Sequence, residues 1–352
     1  MSDIKRVLEK LSNAHGISGW EGSVQRIVQD EISPYVDEVR VDKLGNLIAT
    51  KKGESPSIMI DAHADEIGLM VKQIDEKGFI RFIRIGGWFD QTLLNQRVII
   101  HTSSGAVVGV IGSKPPHVMK DEDRKKVVEA KDMFIDIGCS SQEEAERLGI
   151  LPGTPISIDR EFAPLQGDIV TGKAFDNRAG LVVMIEALKR TKTKSTIYAV
   201  AAVQEEVGLK GAKTAAFGLD PDIAIAADVT IPGDHPGIEK KDAPIEMGKG
   251  PVLVLADGSG RGLIASPQVI EWLVGTAKEF EIPVQLEASD GGTTDATAIH
   301  LTRSGIPTGV ISVATRYIHS PVEVLNLKDI DRAADLMARS LETASRYFRD
   351  GA

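Results

Sequence analysis

Two patterns of apolar residues share this chain, one nested inside the other. From about residue 67 to 163, short apolar stretches alternate with turns rich in Gly, Asp and Lys, at 69–74, 79–85, 97–101, 107–111, 133–137 and 155–158. Many short, evenly spaced strands predict a small β-barrel. One helix interrupts them: Ser140 or Ser141 caps it, Glu143 or Glu144 completes a capping box, and Gly149 closes it. The charged stretch 120–126 reads as a solvated loop.

Outside this segment the periodicity is that of an α/β fold. Ile4, Val7, Leu8 and Leu11 recur at helical spacing, as do Val24, Ile27, Val28 and Ile32, with Pro34 as a stop. A hairpin follows at 39–41 and 47–49, turning at Lys43-Leu44-Gly45-Asn46, and Ile58-Met59-Ile60 reads as a short buried strand. After about residue 164, helices are predicted at 178–189, 267–279, 295–303 and 327–348, and strands at 197–203, 223–227, 252–256 and 308–313. The simplest partition is one α/β domain made of 1–66 and 164–352, interrupted by an inserted β domain at 67–163.

A chain of 352 residues, 42% apolar, has core enough to fold without metal, so any metal serves chemistry. The net charge of −10, from 41 basic and 51 acidic residues, argues against nucleic acid or acidic membranes as partners, since both need a positive footprint. The single cysteine, Cys139, permits no disulfide within the chain and fits a reducing compartment. The opening segment is charged and helical in period, with no apolar core of signal-peptide length. No stretch approaches the roughly 20 apolar residues of a membrane span. A cytoplasmic location is expected.

Chemistry concentrates where strands stop. Glu205 and Glu206 end the apolar run 197–204, and a strand sends successive side chains to opposite faces, so the two carboxylates can serve different tasks in one cleft. His63-Ala64-Asp65 follows Ile58-Met59-Ile60, Asp228 follows 223–227, Asp176 stands before a helix, and His319 precedes Ser320-Pro321. Taken singly, Asp176 reads as a helix cap and His63 as an ordinary surface or core histidine, while Asp228 reads equally as a turn residue. Asp65 strengthens His63 as a ligand, because a metal-bound histidine donates its second N–H to a carboxylate or carbonyl. As a set, two histidines and three carboxylates without cysteine suit Zn²⁺, Co²⁺ or Mn²⁺. Five ligands exceed one tetrahedral site and suit two ions sharing a carboxylate, with a bridging hydroxide as nucleophile and one unligated carboxylate as general base.

Two decoys are set aside. Gly167 to Lys173 fits a phosphate-binding loop, but the Mg²⁺-holding Ser or Thr is replaced by Ala174, and Ile169-Val170 reads as a strand. Asp290-Gly291-Gly292-Thr293-Thr294-Asp295 leads into a helix and shapes a cleft wall. No Gly-x-Ser-x-Gly elbow is present.

With these residues in view, the chain resembles the tetrahedral (TET) aminopeptidases, the glutamyl or deblocking aminopeptidase family of dinuclear metallopeptidases. The resemblance runs nearly end to end, on Asp42-Lys43-Leu44-Gly45-Asn46, Ala62 to Gly68, Ala174-Phe175-Asp176-Asn177-Arg178, Gln204-Glu205-Glu206-Val207-Gly208, Asp228-Val229-Thr230 and Arg316-Tyr317-Ile318-His319-Ser320. It implies a zinc-peptidase-like sheet sandwiched by helices, with the inserted barrel mediating dimerisation. It implies two divalent ions, zinc or cobalt first and manganese next. Asp176 would bridge them, His63 and Asp228 would complete one, and Glu206 and His319 the other. Glu205 would be the general base, and Asp65 would orient His63. The implied reaction removes N-terminal residues from short peptides, in a dodecamer of dimers.

Two other functions are open to the same residues. An endoglucanase-type glycan hydrolase would use Glu205 and Asp176 as an acid–base pair, but only 5% of the chain is aromatic, a poor supply of sugar platforms. A non-catalytic peptide-binding scaffold would have no use for an intact Glu205.

Overall fold

The computed structural model describes residues 2–348. Its helices are α1 (Ser2–Asn13), α2 (Gly22–Ile32), α3 (Gln142–Arg147), α4 (Phe175–Arg190), α5 (Lys210–Leu219), α6 (Pro267–Glu279), α7 (Ala296–Ile299) and α8 (Leu327–Tyr347). The first strands are β1 (Glu38–Val41), β2 (Leu47–Lys51) and β3 (Glu54–His63). Then come β4 (Gly68–Ile74), β5 (Ile80–Ile85), β6 (Arg97–Thr102), β7 (Gly105–Gly112), β8 (Phe134–Asp136) and β9 (Pro155–Ile158). The remainder are β10 (Ala163–Pro164), β11 (Ile169–Gly172), β12 (Ser195–Ala202), β13 (Ile223–Thr230), β14 (Val252–Ala256), β15 (Gln285–Ala288), β16 (Thr308–Arg316) and β17 (Glu323–Asn326).

Strands β4 to β9 close into an antiparallel barrel in the order β4-β5-β8-β7-β6-β9. Alternate residues such as Leu69, Val71, Ile80, Phe82, Val98 and Ile100 fill its interior. The other eleven strands form one sheet, β1-β2-β12-β3-β13-β16-β17-β11-β10, with β14 and β15 attached through β16. Its centre, β12-β3-β13-β16, is parallel. Strands covered on both faces read as unbroken apolar runs, which is why these four were legible. On β3 the alternation divides two helical layers. Ile58, Ile60 and Ala62 join the core under α1, α2, α4, α6 and α8. Met59 joins the opposite cluster with Ala212, Ala215 and Ala216 of α5 and Ile299 of α7. The fold is thus α/β, a sheet between helical layers with a barrel beside it.

Some elements differ from expectation. Helix α5 has no long apolar stripe; it packs through Gly211, Ala212, Ala215 and Ala216, and a Cβ on Gly211 would fall 2.4 Å from the Val203 backbone. Its close approach is bought with small residues that carry little periodic signal. Helix α7 is a single turn rather than the expected 295–303. Ser141 caps α3 by accepting from Glu144 N, while the Glu144 side chain accepts from Ser140 N at 2.7 Å. Within the charged stretch, Asp123–Lys125 forms a 3₁₀ turn. The decoy loop is strand β11, and its Lys173 is buried, donating to Glu66 and to Ala14 O.

Where the barrel meets the helical layer, Ser157 Oγ lies 2.7 Å from His101 Nε2 and 2.8 Å from His15 Nδ1. Burial, aided by Lys173, lowers His15 to about 4 against the pull of Glu66. The folded chain therefore favours the neutral ring. The stability this contributes is complete above the unfolded value near 6.5 and drains away as pH falls toward 4. Melting temperature of the chelated protein is expected to drop between pH 7 and pH 5, and to drop less in His15→Gln. An equal drop in both would remove His15 as the cause.

Candidate metal centre

Because β3, β12, β13 and β16 are parallel, their carboxyl ends share one edge, the edge where open α/β sheets bind ligands. His63 is the last residue of β3 and Asp228 lies near the end of β13. Glu205 and Glu206 follow β12, and His319 follows β16. Strand alternation is not what separates the two glutamates. Strand β12 stops at Ala202, and Gln204 adopts a left-handed φ of +58°. The chain then turns tightly, with Gly208 N and Leu209 N both donating to Glu205 O at 2.9 Å. Tyr317 (+63°) and His319 (+59°) are left-handed as well. Such conformations are costly outside glycine and cluster at functional sites.

Asp176 enters from the start of α4, where it and Asn177 lie outside helical φ/ψ and are joined by a cis peptide. Asp176 is not the helix cap. Asn177 takes that role, its Oδ1 accepting from Gly180 N at 2.9 Å while its Nδ2 donates to Ala227 O at 2.8 Å. Asn177 so ties the residue after Asp176 to the residue before Asp228. Gly180 is required there, since a Cβ would stand 2.2 Å from Asn177 Oδ1.

The side chains converge in two groups, His63 with Glu205 and Asp228, and Asp176 with Glu206 and His319, each with ligand atoms within 4.8 Å of one another. Asp176 joins them. Its Oδ1 is 3.2 Å from His63 Nε2 and its Oδ2 is 3.3 Å from His319 Nε2. Glu206 Oε2 is 3.3 Å from His319 Nε2, and Glu205 Oε2 is 3.9 Å from His63 Nε2. Six of the seven residues expected from sequence converge here, and the seventh, Asp65, lies beside His63.

A second layer holds them. Asp65 accepts from Glu205 N (3.0 Å), Glu206 N (3.1 Å) and Ser18 Oγ (2.6 Å), and its Oδ1 is 3.4 Å from His63 Nδ1. Buried Glu21 accepts from Gln204 N at 3.2 Å. Glu323 Oε2 accepts from Asp176 N at 2.9 Å. Beneath lies an ion cluster. Arg178 and Lys173 both reach Glu66, and Arg178 also donates to Leu11 O, Ala64 O and Asp65 O. Asn177, Glu323 and Glu21 went unrecognised from sequence. Asn177 stood inside a quoted segment, whereas Glu323 and Glu21 offered no pattern. Asp295, placed in a cleft-wall segment, is fully buried facing Asp61.

The electrostatics are those of a site built around positive charge. Burial raises Glu205 and Asp228 well above the usual carboxylate range, against the pull of His63. Burial would also raise Asp176, but His319 and His63 hold it low. Burial would lower His319, yet Asp176 and Glu206 push it up to about 11. The two imidazoles stand in for compensating cations among crowded buried carboxylates. Hard and borderline oxygen and nitrogen donors so arranged fit divalent ions.

A family model for the M42 glutamyl aminopeptidases matches residues 45–336. The chain is 38% identical to the lysyl aminopeptidase of Pyrococcus furiosus, over 96% of each chain. Among solved structures, the aminopeptidase APDkam598 of the archaeon Desulfurococcus kamchatkensis superposes with a TM-score of 0.93 at 46% identity, covering 97% of this chain and 95% of that one. The TET1 peptidase of Pyrococcus horikoshii, described as assembling into a tetrahedron or a large octahedral shell, gives 0.87 at 34% identity over 96% and 99%. This chain belongs to the M42 glutamyl aminopeptidase family and is a peptide hydrolase, an aminopeptidase.

Proposed function

We propose that this aminopeptidase works with two divalent cations, Zn²⁺ or Co²⁺ before Mn²⁺, held by His63, Asp176, Glu206, Asp228 and His319. The observation that carries the proposal is the Asp176 carboxylate, which turns one oxygen to each histidine. Asp176 is the shared ligand, His63 and Asp228 complete one position, and Glu206 and His319 the other. When bound, such a pair activates water near neutral pH and polarises the scissile carbonyl.

The chain's own residues do the rest. Glu205 takes the proton of the attacking water and passes it to the leaving amine. Burial raises its affinity for protons above that of an ordinary carboxylate, against the pull of His63. Asp65 fixes the tautomer and orientation of His63 and holds the backbone of both glutamates. Substrates are short peptides. We assign 1–66 and 164–352 to the catalytic domain and 67–163 to a dimerisation domain. Likeness to TET1 supports a tetrahedral dodecamer of dimers. Among the described residues no helix is long and apolar enough to cross a membrane. The lone Cys139 supports a cytoplasmic location.

Exhaustive chelation is expected to abolish hydrolysis of the p-nitroanilides of Glu, Lys and Leu, and added Co²⁺ or Zn²⁺ to restore it. Undiminished turnover after chelation would overturn the two-cation reading.

A further inference from the structure

The barrel lies closer to the chemistry than a pairing module needs to. Strand β5 ends at Ile85, and the chain turns through Gly86, φ +80°, and Gly87 into Trp88. Trp88 is buried, and its indole Nε1 donates to Gly68 O at 2.9 Å, pinning the turn to the start of β4. The turn presses on two of the proposed ligands. A Cβ on Gly87 would stand 2.8 Å from His319 Nδ1 and 3.1 Å from its Cε1. A Cβ on Gly86 would stand 3.3 Å from Glu206 Oε2.

His319 needs such a neighbour. It sits on a left-handed backbone and its side chain is 39% exposed. A metal-bound histidine is ordinarily held at its second nitrogen by a hydrogen-bond acceptor. His63 has that support from Asp65, at Nδ1. Among the described residues, none hydrogen-bonds His319 Nδ1; the Gly87 backbone faces that side of the ring instead.

We infer that Gly86 and Gly87 of the barrel are positioning residues of the active site, a backbone wall that fixes His319 and Glu206 where the second cation binds. The inference rests on the ligand assignment proposed above. It makes the barrel a structural part of each catalytic centre, and it explains the absence of a side chain at Gly87, where a Cβ would occupy space that His319 uses; at Gly86 the left-handed backbone and the Ile67 side chain, 2.5 Å from a Cβ placed there, call for glycine as well.

Gly87→Ala tests it. Gly87 is not left-handed, so alanine suits its backbone, and the added carbon acts on the His319 ring. In the full-length protein loaded with Co²⁺, affinity for one of the two ions is expected to fall about 10–100-fold. The visible Co²⁺ absorption should change, kcat should fall more than KM changes, and the melting temperature of the chelated protein should hold. Wild-type ion content and an unchanged Co²⁺ spectrum in Gly87→Ala would overturn the inference. His319→Ala separates the two layers of argument. If it too keeps both ions, the ligand assignment is wrong; if it loses one while Gly87→Ala keeps both, only the wall is wrong. Should Gly87→Ala fail to fold, Trp88→Phe decides, since it unpins the turn without adding a carbon. Weakened binding of one ion then supports the wall, and wild-type binding rejects it.

Discussion

Glu205→Gln is expected to keep two bound cations and lose about 10²–10⁴-fold in kcat, the range a positioned general base contributes. The glutamine is nearly isosteric and keeps the main-chain bond from Glu205 N to Asp65, so the cleft stays intact while its proton acceptor is gone. Glu206→Gln is expected to fail differently. Its carboxylate lies 3.3 Å from His319 Nε2 in the group with Asp176, and a neutral amide there weakens one ion's hold before any chemistry begins. Metal analysis after dialysis, run beside single-turnover kinetics, distinguishes the two. Equal metal loss in both variants would refute the division of roles.

The second large effect is on stability. Arg178 is completely buried and donates to three main-chain carbonyls, Leu11, Ala64 and Asp65, as well as to Glu66. Arg178→Met is expected to cost about 3–5 kcal/mol, because removing one partner of a buried ionic cluster leaves the others desolvated. Lys173 still reaches Glu66 at 2.9 Å, which favours the lower end of that range. The measurement is the denaturant midpoint of the chelated protein, at unchanged slope. A loss below about 1 kcal/mol would show that Lys173 alone satisfies Glu66. Adding Glu66→Gln should then cost less than its effect in the wild type, the non-additivity expected of residues in one network.

What could be read in advance follows from the physics of each element. The parallel strands were plain because burial on both faces writes an unbroken apolar run, as in 197–203 and 223–227. The barrel was plain because its turns recur. Helix α5 was hidden because alanines and a glycine bury it. Candidate site residues stood out where charge interrupts apolar strands, as at His63, Glu205 and Asp228. Residues that hold them did not. Glu323 and Asn177 act through backbone atoms far away in sequence, and such pairings exist only once the chain has closed. The separation of Glu205 and Glu206 was expected from strand alternation, whereas a left-handed Gln204 is what sends the two side chains apart.

Asp65 has a consequence of its own. One carboxylate accepts from both glutamate amides and from Ser18 and faces His63. The proposed base and ligands would therefore be geared together, and neither could be retuned without disturbing the other. A lineage exploring new substrates would find this hub nearly frozen and would have to make its changes at the rim of the cleft. Peptidases sharing this site should then differ in which residue they remove long before they differ in how they remove it.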